Sequence, residues 1–166
     1  DEEGQEAYPL LLHCSLSGST ERVIYGILEE QIKQMQKGFK PLLPLWLSPI
    51  QVRILPVTEE FLSYSKQIAE NLEQNNIRVE IDDRDLSLAK KIRAAEKLWT
   101  PLIFIIGENE VNQDKVSIRY RKENIQEFQP LKEVIMYIEK HTTEMPSFYR
   151  VIPRLVSHQP IFTREV

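Results

Sequence analysis

The sequence has little cysteine, little glycine and no long apolar run. Its single cysteine, Cys14, cannot form a disulfide within the chain and is compatible with a reducing compartment. Only five glycines occur, and neither a GxGxxG nor a GxxxxGK[ST] segment is present, which argues against a nucleotide-binding loop. No apolar stretch approaches the roughly 20 residues of a membrane-spanning helix, and the N-terminal DEEGQEAY is acidic where a secretory signal is basic. We therefore expect a cytoplasmic protein that contacts no membrane.

The charge of the chain is unevenly distributed. The 166 residues, 42% of them apolar, suffice for one domain with an appendage. The net charge is −4, but four acidic residues lie within the first eight positions, and the remainder is neutral with 21 residues of each sign. Residues 84–122 carry nine lysines and arginines against five acidic residues. This excess predicts a local basic patch rather than a polybasic tail.

Proline and apolar spacing divide the chain. The run YPLLLHC at 8–14 is typical of a buried strand, and apolar residues at helical spacing predict a helix over 20–35. Three prolines within 41–50 predict a stiff connector. The predicted units are an N-terminal strand-helix segment with a linker over 1–48, a domain over 49–144 and an extended tail over 145–166.

The middle unit alternates strand and helix patterns. Strands are predicted at 51–57, 77–81, 102–106 and 115–121, and helices at 59–74, 88–98 and from Pro130 onward. The run LIFII is apolar throughout, as in a central strand covered on both faces. This order predicts an α/β layer with a mixed sheet flanked by three helices.

A basic surface is predicted on two of these elements. On the helix that begins at Leu88, projection at about 100° per residue places Lys90, Arg93 and Lys97 opposite the apolar sector. The strict alternation of KVSIRYR places Lys115, Arg119 and Arg121 on a solvent-exposed face of the following strand. Such a surface suits single-stranded nucleic acid. The alternative is an ordinary solvated face, since exposed helix faces are usually charged.

Acidic and histidine residues give weaker indications of a base-reading or metal-binding site. The turn GENEV at 107–111 places Glu108 and Glu110 beside the basic surface. A carboxylate there could accept hydrogen bonds from the adjacent ring N–H and amino group of guanine. The alternative is a polar loop without a binding role. The turn DDRD, residues 82–85, resembles a metal cluster but lacks a further ligand and is typical of a turn. His13 and Cys14 are adjacent in a strand-like run, so their side chains would face opposite sides.

Two stretches resemble known families. The order of WLSPIQV, IRVEIDDRD, AKKIR, IGENE and VSIR resembles the C-terminal anticodon-binding domain shared by the histidyl, glycyl, threonyl and prolyl class of tRNA synthetases, over roughly residues 44–140. The resemblance implies a five-stranded sheet. The second stretch, at about residues 8–30, is LLHCSLSGSTERVIYGILEE. It is similar to the last signature motif of a class II catalytic domain in the threonyl branch, and its LHCS segment resembles the archaeal sequences.

These resemblances imply functional residues. Contacts to the anticodon are implied for Arg93, Glu110, Arg119 and the loop 84–87, although the family often has Asn at the position of Asp85 and a basic residue at Ser87. With the basic residues placed by spacing, the predicted tRNA-binding set is Arg84, Asp85, Lys90, Arg93, Lys97, Glu110, Arg119 and Arg121. In the intact enzyme, Arg22 would bind ATP and His13 would be one zinc ligand.

The expected function is binding of the anticodon loop of threonine tRNA. Threonine anticodons share a central G and a final U, which one acid and two arginines could read. The resemblance also implies the catalytic domain as a partner, and zinc, ATP with Mg²⁺ and a homodimer for the intact synthetase. This chain lacks the earlier class II motifs and two zinc ligands, so we expect it to hold no cofactor and not to catalyse alone. Two alternatives remain: a ligase subunit that is competent once joined to its missing domain, and an accessory interaction protein on the same fold.

Overall fold

Five strands form one mixed sheet at the centre of the molecule. The computed structural model describes residues 4, 6, 8, 11–15 and 18–160. The strands are β1 (Val52–Pro56), β2 (Val79–Ile81), β3 (Leu102–Ile106), β4 (Val116–Tyr120) and β5 (Ile125–Gln129). Their order across the sheet is β2-β1-β3-β4-β5, with β1, β2 and β3 parallel and β4 and β5 antiparallel to their neighbours. The predicted mixed five-stranded α/β architecture is confirmed.

Helices accompany the sheet in the described part of the chain. They are α1 (Thr20–Gln36), α2 (Leu62–Gln74), α3 (Leu88–Lys97), α4 (Glu108–Gln113) and α5 (Leu131–Thr142). The hydroxyl of Ser19 caps α1 by accepting the Arg22 N–H at 3.4 Å. Asn76 ends α2 in the left-handed conformation, with φ of 58°. None of the described helices is long and apolar enough to cross a membrane.

The main hydrophobic core lies on one face of the sheet. Alternate positions of the strands, such as Ile54, Phe104 and Ile118, point to this face and are fully buried. Helix α2 contributes Leu72 and helix α5 contributes Ile138 to the same cluster. Burial of apolar area on this scale is the main driving force for folding.

The opposite face of the sheet is only partly covered. Helix α3 packs Ala95 on Leu55 of β1 and Ile103 of β3. The register places Arg119 of β4 beside Ile103, so the same face continues onto β4 and β5. There Ser117 and Arg119 are half-buried, and the β5 residues paired with them are exposed. We call the surface formed by Ser117, Arg119, Gln126 and Phe128 the open face.

The secondary structure differs from the sequence prediction at three places. Strand β5 was not located, because IQEFQ is an exposed edge strand without the alternation of a half-buried one. The segment GENEV is the start of helix α4 rather than a turn. Residues 8 and 11–14 of the predicted N-terminal strand are not in a strand, and residues 9 and 10 lie outside the described part. A strand needs a hydrogen-bonded neighbour, which the described sheet does not offer this segment.

An ion pair is buried beneath α3. Arg53 of β1 and Glu80 of β2 are paired in register on the α3 side of the sheet. Their side chains form a salt bridge, and each residue is no more than 2% exposed. The second carboxylate oxygen of Glu80 accepts a hydrogen bond from Gln159 of the tail at 2.8 Å. The mutual attraction of the two charges and the Gln159 hydrogen bond oppose the cost of their desolvation, while Arg53 Nη1 is buried without a hydrogen-bond partner among the described residues.

Arg78 fastens the linker and the tail to the sheet. Its guanidinium donates to the carbonyl oxygens of Ser48 at 3.0 Å and Trp46 at 2.7 Å. It also lies 3.9 Å from the ring centroid of Phe148, and burial lowers its pKa. The tail then forms a parallel bridge between Leu155 and Ile81, which covers the outer edge of β2. The proline-rich linker is therefore packed against the domain, while the division into domains stays a prediction.

We expect Glu80→Ala to destabilise the chain by about 3–5 kcal/mol, because it leaves the buried charge of Arg53 without its partner. The free energy of unfolding from urea titration measures this effect. Glu70→Ala is the matched control, since Glu70 pairs with Arg154 at the surface at 3.4 Å and should change the same quantity by less than about 1 kcal/mol. Equal effects of the two substitutions would contradict this assignment.

Candidate nucleic-acid interface

Helix α3 presents a basic face to solvent. Lys90, Arg93 and Lys97 are exposed, as the helical projection predicts. Their side chains have no hydrogen bond or ion pair to any other residue in the described part of the chain. Because no carboxylate neutralises them, these three cations are available to phosphate groups.

The neighbouring lysine has a structural role that the sequence analysis missed. Lys91 is buried, and its Nζ donates to the carbonyl oxygen of Pro56 at 3.0 Å. This bond ties the first turn of α3 to the end of β1. Lys91 lies three residues after Leu88 and therefore at the edge of the apolar sector of the helix. This position could have predicted that Lys91 is buried whereas Lys90 is exposed.

Glu96 gathers three cations beneath the C-terminal end of α3. Its carboxylate lies 3.5 Å from Lys40 Nζ in the linker and 3.3 Å from Arg119 Nε on β4. It also forms a salt bridge with Arg121. One negative charge therefore orients three positive ones, and Arg119 is held at the rim of the open face with its side chain one-third exposed.

The predicted exposed position of Arg121 is wrong. Arg121 is only 5% exposed, and its Nε donates to the carbonyl oxygen of Pro41 at 2.8 Å. Arg121 lies on the α3 side like Arg119, since both pair with Glu96, and its backbone N–H extends the β3–β4 pairing by bonding to the Pro101 carbonyl at 3.0 Å. It is buried because Glu96 and the linker cover it, which the alternation alone does not show. Arg121 therefore connects the linker to the domain and is removed from the RNA-binding set.

Glu110 supports the loop between β3 and β4. It is 8% exposed and occupies the first turn of α4. One carboxylate oxygen accepts the N–H of Gly107 at 2.8 Å, and the other accepts the hydroxyl of Ser117 at 2.6 Å. The first bond caps α4, and the second joins this helix to the open face. A Cβ at position 107 would lie 3.2 Å from the Glu110 carboxylate, so a larger residue there would press on this group.

The loop after β2 is held by its own charges and by the tail. Arg84 donates from Nε and Nη2 to the two oxygens of buried Asp82, at 2.8 and 2.7 Å. Asp83 accepts the N–H of Ser157 at 2.9 Å and also its hydroxyl. Burial acts to raise the pKa of Asp83, but these hydrogen bonds outweigh it and the pKa is lowered. Asp85 is left exposed at the tip of the loop.

Aromatic and cationic groups meet at the outer part of the open face. Phe128 of β5 pairs with Ser117 of β4, and Gln126 pairs with Arg119. Lys115 Nζ lies 5.3 Å from the centroid of the Phe128 ring. Phe128 was not predicted as a functional residue because β5 was not located from the sequence. Its signal was an aromatic residue within an otherwise polar strand.

The residues predicted for the catalytic part lie at the other end of the chain. Arg22 is exposed in the first turn of α1, and His13 and Cys14 are exposed before this helix. Among the described residues, no group of three His, Cys, Asp or Glu side chains is arranged to hold a metal ion. The residues present therefore do not fit a complete zinc site, since His13 supplies a single ligand.

We expect Glu110→Ala to lower the free energy of unfolding by about 1–3 kcal/mol, because it leaves the donors of Gly107 and Ser117 without their acceptor. Glu108→Ala in the same helical turn removes an exposed acid and should cost less than about 1 kcal/mol. The free energies of unfolding of both variants, from urea titration, measure whether Glu110 supports the fold more than Glu108 does. A Glu110→Ala variant as stable as the parent chain would mean that this carboxylate supports nothing in the fold.

Comparison with known proteins identifies a family and relatives that this chain matches. Residues 51–141 match the family model described as "Anticodon binding domain". The threonine–tRNA ligase of Thermococcus sibiricus is 52% identical over 162 residues, which cover 98% of this chain and 26% of that protein. The threonine–tRNA ligase of Methanocaldococcus jannaschii is 44% identical over 164 residues, covering 95% and 26%. The chain thus spans about a quarter of the length of these curated relatives.

Solved structures share the fold. The RNA binding domain of threonyl-tRNA synthetase from Cryptosporidium parvum Iowa II superposes with a TM-score of 0.57 at 32% identity, covering 63% of this chain and 26% of that one. A prolyl-tRNA synthetase from Cryptosporidium parvum superposes with a TM-score of 0.56 at 23% identity, covering 61% and 23%. The second likeness is one of fold alone. Both agree with the mixed sheet and its flanking helices.

Proposed function

This chain belongs to the anticodon binding domain family, and from that membership we propose that it binds the anticodon loop of threonine tRNA. It would do so as the RNA-reading part of a threonine–tRNA ligase. Similarity to threonine–tRNA ligases over 98% of the chain supports the choice of amino acid. In this role we expect it to act in the cytoplasm.

One observation carries the proposal: the unpaired basic face of α3 borders the open face of the sheet. The apolar side of α3 packs on Leu55 of β1 and Ile103 of β3, and Glu96 of the same helix contacts Arg119 on the open face. The cations of α3 therefore stand beside an accessible strand surface. RNA loops are bound by this combination, in which cations take the phosphates and the sheet receives unpaired bases. A charged helix face alone would not select such a ligand.

The structure allows a division of roles among the predicted residues. Arg93 and Lys97 have free charged groups and are assigned to phosphates. Arg119 is oriented by Glu96 and is assigned to a base edge, where a guanidinium can donate two parallel hydrogen bonds. Glu110 keeps an acceptor position on each oxygen after its two bonds, so it is retained as the reader of the central guanine.

Arg84, Asp85 and Lys90 complete the proposed interface. Arg84 and Asp85 lie in the loop that enters α3, and Lys90 lies in the first turn of that helix. Because Ser157 holds the adjacent Asp83, this loop is positioned before RNA arrives. A fixed loop loses less conformational entropy on binding than a mobile one.

The N-terminal segment is proposed to belong to the catalytic domain of the ligase. No residue of α1 is buried, and its apolar side chains Val23, Ile24, Leu28 and Ile32 are exposed. An amphipathic helix requires an apolar partner surface, which the rest of the ligase would supply. Attachment of threonine to tRNA, with ATP, Mg²⁺ and zinc, and assembly as a homodimer are proposed for that whole enzyme. There Arg22 would bind ATP, and His13 would need further ligands to hold zinc.

Titration of the chain with anticodon stem-loops tests the proposal. We expect the stem-loop with the threonine anticodon to bind roughly 5- to 150-fold more tightly than one whose central G is changed, because one good bidentate base contact gives about 1–3 kcal/mol of discrimination. Fluorescence anisotropy at fixed salt measures both affinities. Equal affinities would contradict base reading, and absence of binding to either loop would contradict the function itself.

Single variants assign the roles within the same titration. Glu110→Ala should mainly reduce the preference for the central G, whereas Lys97→Ala should weaken both loops alike and lower the salt slope by about one. Lys132→Ala is the matched control, since Lys132 is an exposed lysine on α5, on the other side of the sheet. A loss of affinity in Lys132→Ala equal to that in Lys97→Ala would place the RNA elsewhere.

A further inference from the structure

Phe128 is an exposed aromatic side chain on the open face. It is 40% exposed, although burial of its ring would be favourable. We propose that Phe128 is the platform on which an unpaired base of the RNA loop stacks. This inference rests on the proposed function and adds a residue to the interface that neither the basic pattern nor the family resemblance assigned.

The position of Phe128 follows from the strand register. Phe128 stands directly across from Ser117, so their side chains share one face of the sheet. The hydroxyl of Ser117 donates to Glu110 at 2.6 Å. Arg119, two residues further along β4, lies on the same face. A base stacked on the Phe128 ring would therefore have its edge close to the two groups assigned to base reading.

The charge around the ring also suits RNA. Lys115 Nζ lies over one face of the ring, 5.3 Å from its centroid, so a cation–π contact holds an ammonium group there and a base would stack on the opposite face. A nucleotide on the ring would bring its phosphate toward this ammonium. Stacking is indifferent to base identity because every base has a π-face, so Phe128 would contribute affinity while Glu110 and Arg119 contribute selectivity.

Another exposed aromatic residue shows why this position differs. Phe148 is also partly exposed, but the guanidinium of Arg78 occupies its ring at 3.9 Å. Tyr25 belongs to α1, outside the sheet. Phe128 alone among these three combines a strand position, a neighbouring cation and proximity to Glu110.

Strand β5 also supplies a matched control. Ile125 is 44% exposed and pairs with Tyr120, which belongs to the main core. Ile125 and Phe128 are thus similarly exposed apolar residues on opposite faces of one edge strand. Replacing either with alanine removes a comparable exposed group, but only Phe128 borders the proposed RNA surface.

The test uses the full chain and the threonine anticodon stem-loop, with 2-aminopurine placed at each loop position in turn. We expect Phe128→Ala and Phe128→Leu to bind roughly 5- to 100-fold more weakly than the parent chain, because leucine keeps apolar area but has no ring plane. Phe128→Trp should keep the affinity, and Ile125→Ala should match the parent. One loop position should show fluorescence quenching with the parent and Phe128→Trp but not with Phe128→Leu.

The salt dependence separates stacking from charge. Phe128→Leu should leave the slope of log affinity against log salt unchanged, since no phosphate contact is lost. Binding by Phe128→Leu within twofold of the parent, or an equal loss in Ile125→Ala, would overturn the stacking role while leaving anticodon binding intact. A parent chain that binds no stem-loop would overturn both this inference and the proposed function. Urea unfolding midpoints of the variants confirm that each is folded in the assay.

Discussion

The carboxylate of Glu96 determines how the rest of the interface is arranged. It forms ion pairs with Lys40 of the linker, with Arg119 of β4 and with Arg121, which directly follows β4. These contacts hold the end of α3 over β3 and against the start of the domain. Three cations around one acid leave a local excess of positive charge, so the same cluster that fixes the helix also favours a polyanion beside it.

Two groups of basic residues in the domain differ in burial: one is buried and supports the fold, and the other is exposed on α3. Arg53, Arg78, Lys91 and Arg121 are buried and bonded to carboxylates or to backbone carbonyl oxygens. They hold strands, linker and tail together, and none has a free charged surface. Lys90, Arg93 and Lys97 are exposed on α3. Net charge therefore describes this protein poorly, because a cation that is buried and bonded within the fold is not available to RNA.

Local sequence pattern was sufficient for most elements of the fold. Helices α2, α3 and α5 and strands β1 to β4 follow from apolar spacing, and the sheet with its flanking helices is confirmed. Strand β5 and helix α4 did not follow. The former is an edge strand whose stability comes from pairing with β4, and the latter is six residues long and depends on a carboxylate–backbone bond.

The candidate site was less predictable than the fold, for a related reason. Helical projection correctly placed Lys90, Arg93 and Lys97 at the surface, since that geometry is local. Arg121 was misplaced because its environment is set by the Pro41 carbonyl and by Glu96, which are 80 and 25 residues away in sequence. Phe128 was missed because its neighbours on the open face come from other strands. Partners distant in the chain are visible only after the chain has folded.

We propose that RNA binds the α3 side of the sheet. Two-dimensional ¹H–¹⁵N NMR of the labelled chain, titrated with the threonine anticodon stem-loop, tests it most directly because each backbone amide reports its own surroundings. We predict shifts concentrated in the loop 84–87, helix α3, the segment 107–117 and strand β5, with helices α2 and α5 unperturbed. Shifts concentrated on α2 and α5 would contradict the account, as would a spectrum that does not change.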